Sequence, residues 1–103
     1  MKTSELVAKG RDELAKGWCQ HRYGDGSDVC AVGAIRKAVT GSAYGMLVES
    51  PEYFDAYKAL NKTSFEMFGI CEVSILNDQK TTTHQDMLDV FDKTIIGLEE
   101  KGL

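Results

Sequence analysis

Long hydrophobic runs are missing from this 103-residue sequence. No apolar stretch approaches the roughly 18 residues that a membrane-crossing helix requires, so no membrane is expected as a partner. Met1-Lys2-Thr3-Ser4-Glu5 leads straight into a mixed helical pattern, without the apolar region or small-residue cleavage site of a secretory leader. The expected location is therefore the cytoplasm. Basic runs are missing as well: 12 Lys+Arg stand against 16 Asp+Glu, a net charge of −4. Binding to duplex nucleic acid draws on cations that displace phosphate counterions, so nucleic acid is not an expected partner. Cysteine is scarce and odd in number, and Cys19, Cys30 and Cys71 do not make a disulfide framework.

What is present fits one domain over residues 1–103, with 43% hydrophobic and 27% charged residues. Folding at this length hides about two-thirds of the surface of the unfolded chain, which permits one modest core and little room for a deep active site. The charge is unevenly spread. Residues 1–41 hold seven Lys/Arg and five Asp/Glu, a net +2, whereas residues 42–103 hold five and eleven, a net −6. The acids Glu49, Glu52, Asp55, Glu66 and Glu72, with the outer face of the last helix, read as a solvated surface. Their density is too low for a nucleic-acid mimic.

Helical punctuation dominates the chain. Residues 4–16 place Leu6, Val7, Gly10 and Leu14 on one face, with Thr3 or Ser4 as cap and Gly17 just past the end. Residues 18–28 lose that periodicity, and Gly24-Asp25-Gly26-Ser27-Asp28 reads as a surface loop or tight hairpin turn. Asp28 or Ser27 is expected to cap a second helix over 29–40, whose small apolar face around Gly33 lets another backbone approach and suggests a central position. Residues 41–49 are ambiguous. Ser50-Pro51-Glu52 then reads as a helix start. A third helix over 51–68 aligns Phe54, Tyr57, Phe65 and Phe68 as a core stripe, which the polar Asn61 is expected to interrupt. Residues 70–78 suit a short strand or a helical turn, with a helical turn ending at Asn77-Asp78 preferred. Thr83 with Asp86 opens the last helix, whose apolar face is Met87, Leu88, Phe91, Ile95 and Leu98 and whose Asp89 and Lys93 are spaced to pair. The fold class is an all-α orthogonal bundle of four to five short helices.

Few residues carry chemistry. Cys19, His21 and Cys30 are the metal candidates, with Asp25, Asp28, Cys71 or His84 available to complete a tetrahedral set. They lack the paired Cys-x-x-Cys knuckles that fix two ligands at once, so buried thiols and a surface histidine are the expectation, with no metal or other cofactor. Cys30 opens a helix, where the N-terminus stabilises a thiolate. A cysteine hydrolase built on it needs His84 or His21 as base and Asn77 or Asp78 to orient that base. Because Cys30 begins an apolar face, burial as a small core residue outweighs that reading. Asn77-Asp78 can hold a substrate hydroxyl, or serve structurally, with Asn77 in a left-handed helix end and Asp78 accepting N–H bonds in the next turn. Trp18 reads first as a core anchor and second as a ligand-stacking ring. The glycine-rich loop fits neither a phosphate loop nor a calcium loop.

Gly17-Trp18-Cys19-Gln20, Cys30-Ala31-Val32-Gly33-Ala34-Ile35, Leu76-Asn77-Asp78 and Thr83 followed by Asp86-Met87 occur in an order that resembles a family of small domains of unknown function. That family is found in actinobacterial and actinophage genomes, and its third block often reads Trp-Asn-Asp where this chain has Leu76. The resemblance implies a genomic setting and no mechanism. With the thin catalytic inventory, it leads to the expectation of a phage or accessory binding module that engages a host protein. The alternatives are a small-molecule or nucleotide binder with Trp18, Gln20, Asn77 and Asp78 at its pocket, and a hydrolase using Cys30, His84 and Asp78.

Overall fold

A computed structural model describes residues 1–45 and 51–103. Five helices, α1 (Thr3–Lys16), α2 (Ala31–Thr40), α3 (Pro51–Phe68), α4 (Val73–Asn77) and α5 (His84–Glu100), enclose one core, and a two-residue hairpin, β1 (Gly24–Asp25) with β2 (Asp28–Val29), precedes α2. The all-α expectation holds. The aperiodic segment resolves as the tight hairpin, and residues 73–77 as a helical turn ending at Asn77. Ser50 and Glu49 lie outside the described residues.

The core follows the periodicities of α1 and α5. Leu6, Val7, Gly10 and Leu14 are buried on α1, and Met87, Val90, Phe91, Thr94 and Leu98 on α5. Sealing each large apolar side chain contributes about 1.5–3 kcal/mol. The central position belongs to α1 rather than to α2, because α1 packs along both α2 and α5 and also meets α3. The small face of α2 admits a backbone as expected: a Cβ on Gly33 would stand 1.9 Å from the carbonyl oxygen of Tyr23. That approach lets the loop before the hairpin lie directly on the helix. Gly17 serves a similar end, since a Cβ there would meet the Asp28 carboxylate at 1.9 Å.

Capping differs from expectation at two helices. α1 starts at Thr3 with Lys2 as its cap residue, and the Glu5 carboxylate accepts the Lys2 backbone N–H at 3.2 Å. α2 is capped by Cys30, whose Sγ accepts from the Gly33 N–H at 3.3 Å, because Asp28 and Val29 are already committed to the hairpin. At α5 the expected box is present: Thr83 Oγ1 accepts from the Asp86 N–H at 3.1 Å, and the Thr83 N–H donates to Asp86 Oδ2 at 2.9 Å. Asp89 takes a hydrogen bond from Gln85 at 2.8 Å, and among the described residues it makes no ion pair with Lys93.

α3 departs most from its sequence pattern. It is unbroken from 51 to 68, and of its aromatic stripe only Tyr57 packs against the core, while Phe54, Phe65 and Phe68 face outward, exposed by 52%, 57% and 41%. The buried side instead carries Ala56, Leu60, Thr63 and Ser64. Its hydroxyls are used: Thr94 Oγ1 on α5 reaches Thr63 Oγ1 at 2.6 Å, and Ser64 donates at 2.7 Å to the carbonyl of Ile70 in the turn that follows α3. Asn61 does not break the helix. Its Oδ1 accepts the N–H of Val73 at 2.8 Å and so satisfies the first residue of α4.

Candidate functional site

Three segments, residues 17–23, the start of α2 and the end of α4, meet at Asn77, which is 1% exposed. Its Oδ1 accepts from Trp18 Nε1 at 2.9 Å and from the Ala31 N–H at 3.0 Å. Its Nδ2 donates to the Cys19 carbonyl at 3.1 Å and to Asp78 Oδ1 at 3.1 Å. A primary amide offers two acceptor and two donor positions, and all are taken. Both partners of Oδ1 are N–H donors, which fixes the amide's orientation. Asn77 is thus a cap delivered from another element: Ala31 begins α2, and its N–H has no partner within that helix. The left-handed helix end expected at Asn77 is not found.

Neighbouring bonds extend the seam. Gln20 Nε2 donates to the carbonyls of Asn77 at 3.0 Å and Gln79 at 2.9 Å, and the His21 N–H donates to Asp78 Oδ1 at 2.9 Å. The Asp78 carboxylate therefore binds backward onto His21, not forward into its own turn. His21 has φ 66°, the only non-glycine residue in the left-handed region among the described residues. Such a conformation costs of the order of 1 kcal/mol or more and persists only where surrounding bonds enforce it. Here it sets the imidazole beside Asp78, with Nδ1 at 3.8 Å from Oδ2.

On the far side of this seam opens a cavity of about 540 Å³, bounded by His21, Arg22, Tyr23, Cys30, Val32, Tyr44, Ser74, Asn77 and Asp78. One wall is aromatic. The rings of Tyr23 and Tyr44 meet edge to face at 5.8 Å, Tyr44 is pinned by its hydroxyl donating to the Gly24 carbonyl at 2.7 Å, and the Arg36 guanidinium lies 4.4 Å over Tyr23. The other wall is polar, formed by Asp78, Ser74 and His21. At the rim, Arg22 Nη1 stands 3.3 Å from Asp25 Oδ2. With Oδ1 occupied twice, Asp78 Oδ2 is the carboxylate oxygen available to an incoming donor.

Cys30, Asn77 and Asp78 are brought together as cavity residues, while Trp18 and Gln20 are not. The Trp18 N–H is spent on Asn77, and its ring stacks on His84 with centroids 6.1 Å apart and planes 9° off parallel. The Gln20 amide is spent on two carbonyls. Asn77 contributes shape but has no bond to offer a ligand without breaking the seam.

The hydrolase arrangement of Cys30, His84 and Asp78 is corrected by the same geometry. His84 Nε2 lies 2.7 Å from the Leu14 carbonyl oxygen, so that nitrogen must carry a proton, and the ring sits on Trp18 away from the cavity. Burial pushes the Cys30 thiol up from its ordinary value, and the N–H groups of Gly33 and Val32 only partly oppose it. Cys19 is raised too, by burial and then by Cys30. Neither is an activated thiolate. The set Cys19, His21 and Cys30 makes no metal site: among the described residues no three His, Cys, Asp or Glu side chains converge as a cation requires.

Sequence reasoning missed Tyr23, Tyr44, Arg22 and Ser74. The two tyrosines flank glycine-rich turns, where no periodicity marks which way a ring faces, and Ser74 becomes visible only once residues 73–77 are known to be helical. No curated protein and no solved structure matches the chain. A family model matches residues 1–96, and with it the chain belongs to the family of unknown function DUF6197.

Proposed function

We propose that this protein binds a small polar metabolite bearing a flat ring, a nucleotide being the leading class, in the cleft between α2 and α4. The observation that carries the reading is the convergence of Cys30, Asn77 and Asp78 with Tyr23 and Tyr44 on one open cavity of about 540 Å³. That volume lies within the usual range for small-molecule sites, which pair apolar or aromatic walls with a few placed polar groups. The tyrosine wall supplies area for a planar ring, Asp78 Oδ2 and Ser74 supply acceptors for its N–H or O–H groups, and Arg22 and His21 stand where an anionic substituent would emerge. The test is thermal denaturation with a panel of nucleotides and ring-bearing metabolites. At 100 times Kd a ligand adds about 2.7 kcal/mol of stability. A raised melting temperature in the wild type, lost in Tyr44→Ala and in Asp78→Asn, is the expected result. No response across the panel, or a response unchanged in both variants, refutes it.

A second reading is favoured by the outward aromatic stripe of α3. Phe54, Phe65 and Phe68 lie within one face of that helix and are all exposed. We propose this face as the one that engages a protein partner, in the phage setting implied by the family resemblance a host protein. Capture of a partner from host lysate by the wild type but not by Phe65→Glu/Phe68→Glu supports it. Recovery of nothing above background counts against it.

A further inference from the structure

Residues 42–103 have five lysines and no arginine against eleven acids. Three of the five, Lys62 on α3, Lys93 on α5 and Lys101 just beyond it, border a single groove of about 300 Å³ between those two helices. In the acidic half of the chain, most of the positive charge is gathered at one place. Glu66 and Glu100 also border the groove, yet among the described residues none of the three lysines has a carboxylate within 4.0 Å. Lys62 and Lys101 instead lie beside each other, and that like-charge contact lowers the Lys101 ammonium from its ordinary value. Two adjacent ammonium groups repel unless an anion stands between them.

The floor of the groove gives a second, independent observation. Ala59, Leu98 and the buried Thr63 and Thr94 border it with the exposed Ile96, and Gly97 lies between Ile96 and Leu98. Gly97 sits inside α5, where glycine costs roughly 0.5–1 kcal/mol relative to alanine. Neither packing nor backbone geometry requires it: a Cβ there would meet nothing within 4 Å, and Gly97 is not among the residues with positive φ. The missing side chain leaves space open in the groove that the three lysines border.

We propose that this groove is a binding site for a small organic phosphate with an apolar body, its phosphate held by Lys62 and Lys101 with Lys93 nearby, and its body lying over Gly97. The site is separate from the cleft between α2 and α4 and stands whether or not that cleft binds a ligand. It is tested by titrating the full chain with phenyl phosphate and, in parallel, inorganic phosphate, reading backbone amide shifts at Ile96, Gly97 and Leu98. Phenyl phosphate is expected to shift these amides more tightly than inorganic phosphate does, with affinity falling as salt rises. Lys62→Gln/Lys101→Gln should weaken it by about tenfold or more, equivalent to about 1.4 kcal/mol. Gly97→Leu should abolish binding while the protein stays folded, since leucine is the better helix former. No response at millimolar phenyl phosphate, equal affinity for inorganic phosphate, or binding that survives Gly97→Leu or the double lysine variant would each overturn the proposal.

Discussion

Replacing Asn77 with alanine removes four hydrogen bonds at one buried point, and its cost can be worked from the partners left behind. The Ala31 N–H is buried and loses its only acceptor outside α2, a penalty of about 1–3 kcal/mol. Trp18 Nε1, the Cys19 carbonyl and Asp78 Oδ1 are part-buried, so water can partly replace Asn77 and each loss is nearer 0.5–1 kcal/mol. The total comes to about 2.5–6 kcal/mol, a large share of the roughly 5–15 kcal/mol that holds a domain of this kind together. The melting temperature should fall by at least about 10 °C at the usual 4–8 °C per kcal/mol for a domain of this size. Far-UV circular dichroism in urea measures the loss. The emission of Trp18, the single tryptophan, reports whether the seam opens before the bundle melts. A loss under about 1 kcal/mol, the value of one ordinary hydrogen bond, would refute the claim that Asn77 joins three segments.

Other expectations follow from the same contacts. Gly33→Ala drives a Cβ into the Tyr23 carbonyl and should destabilise by about 1–3 kcal/mol in chemical denaturation, and an unchanged midpoint would show that the loop does not lie on α2 as described. Thiol labelling of the native protein should proceed in the order Cys71, Cys19, Cys30, since these are exposed, half-buried and buried, and burial keeps Cys30 protonated. Fast modification of Cys30 would revive a nucleophilic role. Burial acts to raise the Glu13 carboxyl, but hydrogen bonds from Lys37 and Lys16 outweigh it and hold the group below its ordinary 4.5. A depressed pKa contributes stability that is present above 4.5 and is lost as pH falls through the lower folded value. Glu13→Gln should therefore flatten the acid limb of a stability–pH profile below about pH 4.5, and parallel profiles would contradict the assignment.

The helices were legible where one face had to be apolar. Leu6, Val7, Gly10 and Leu14 on α1 and Met87, Phe91 and Leu98 on α5 announce themselves because spacing and burial agree. α3 is misjudged from its sequence because hydrophobicity ranks phenylalanine as core and threonine as surface, whereas its buried side carries Ala56, Leu60, Ser64 and Thr63, the last bonded to Thr94 of α5. Asn61 and Asn77 show a related limit. Each is a polar residue whose acceptor serves an N–H from another element, Val73 in one case and Ala31 in the other. A sequence displays the donorless or polar position but not the distant partner, so Asn61 reads as a break and Asn77 as a turn. The candidate site was legible in part for the same reason. Asp78 and Cys30 were conspicuous as residue types, but Tyr23 and Tyr44 gain meaning only once the hairpin turns their rings toward each other.

The central claim is that the cleft bordered by Tyr23, Tyr44, Ser74 and Asp78 receives a ring-bearing polar ligand. Backbone amide spectra of the wild-type protein, recorded against a nucleotide panel, test it most directly. A ligand in the cleft gives saturable shifts confined to residues 21–23, Val32, Ser74 and Asp78, removed by Ser74→Phe, which fills the cleft from α4. Spectra that do not respond, or that shift equally in Ser74→Phe, would contradict it.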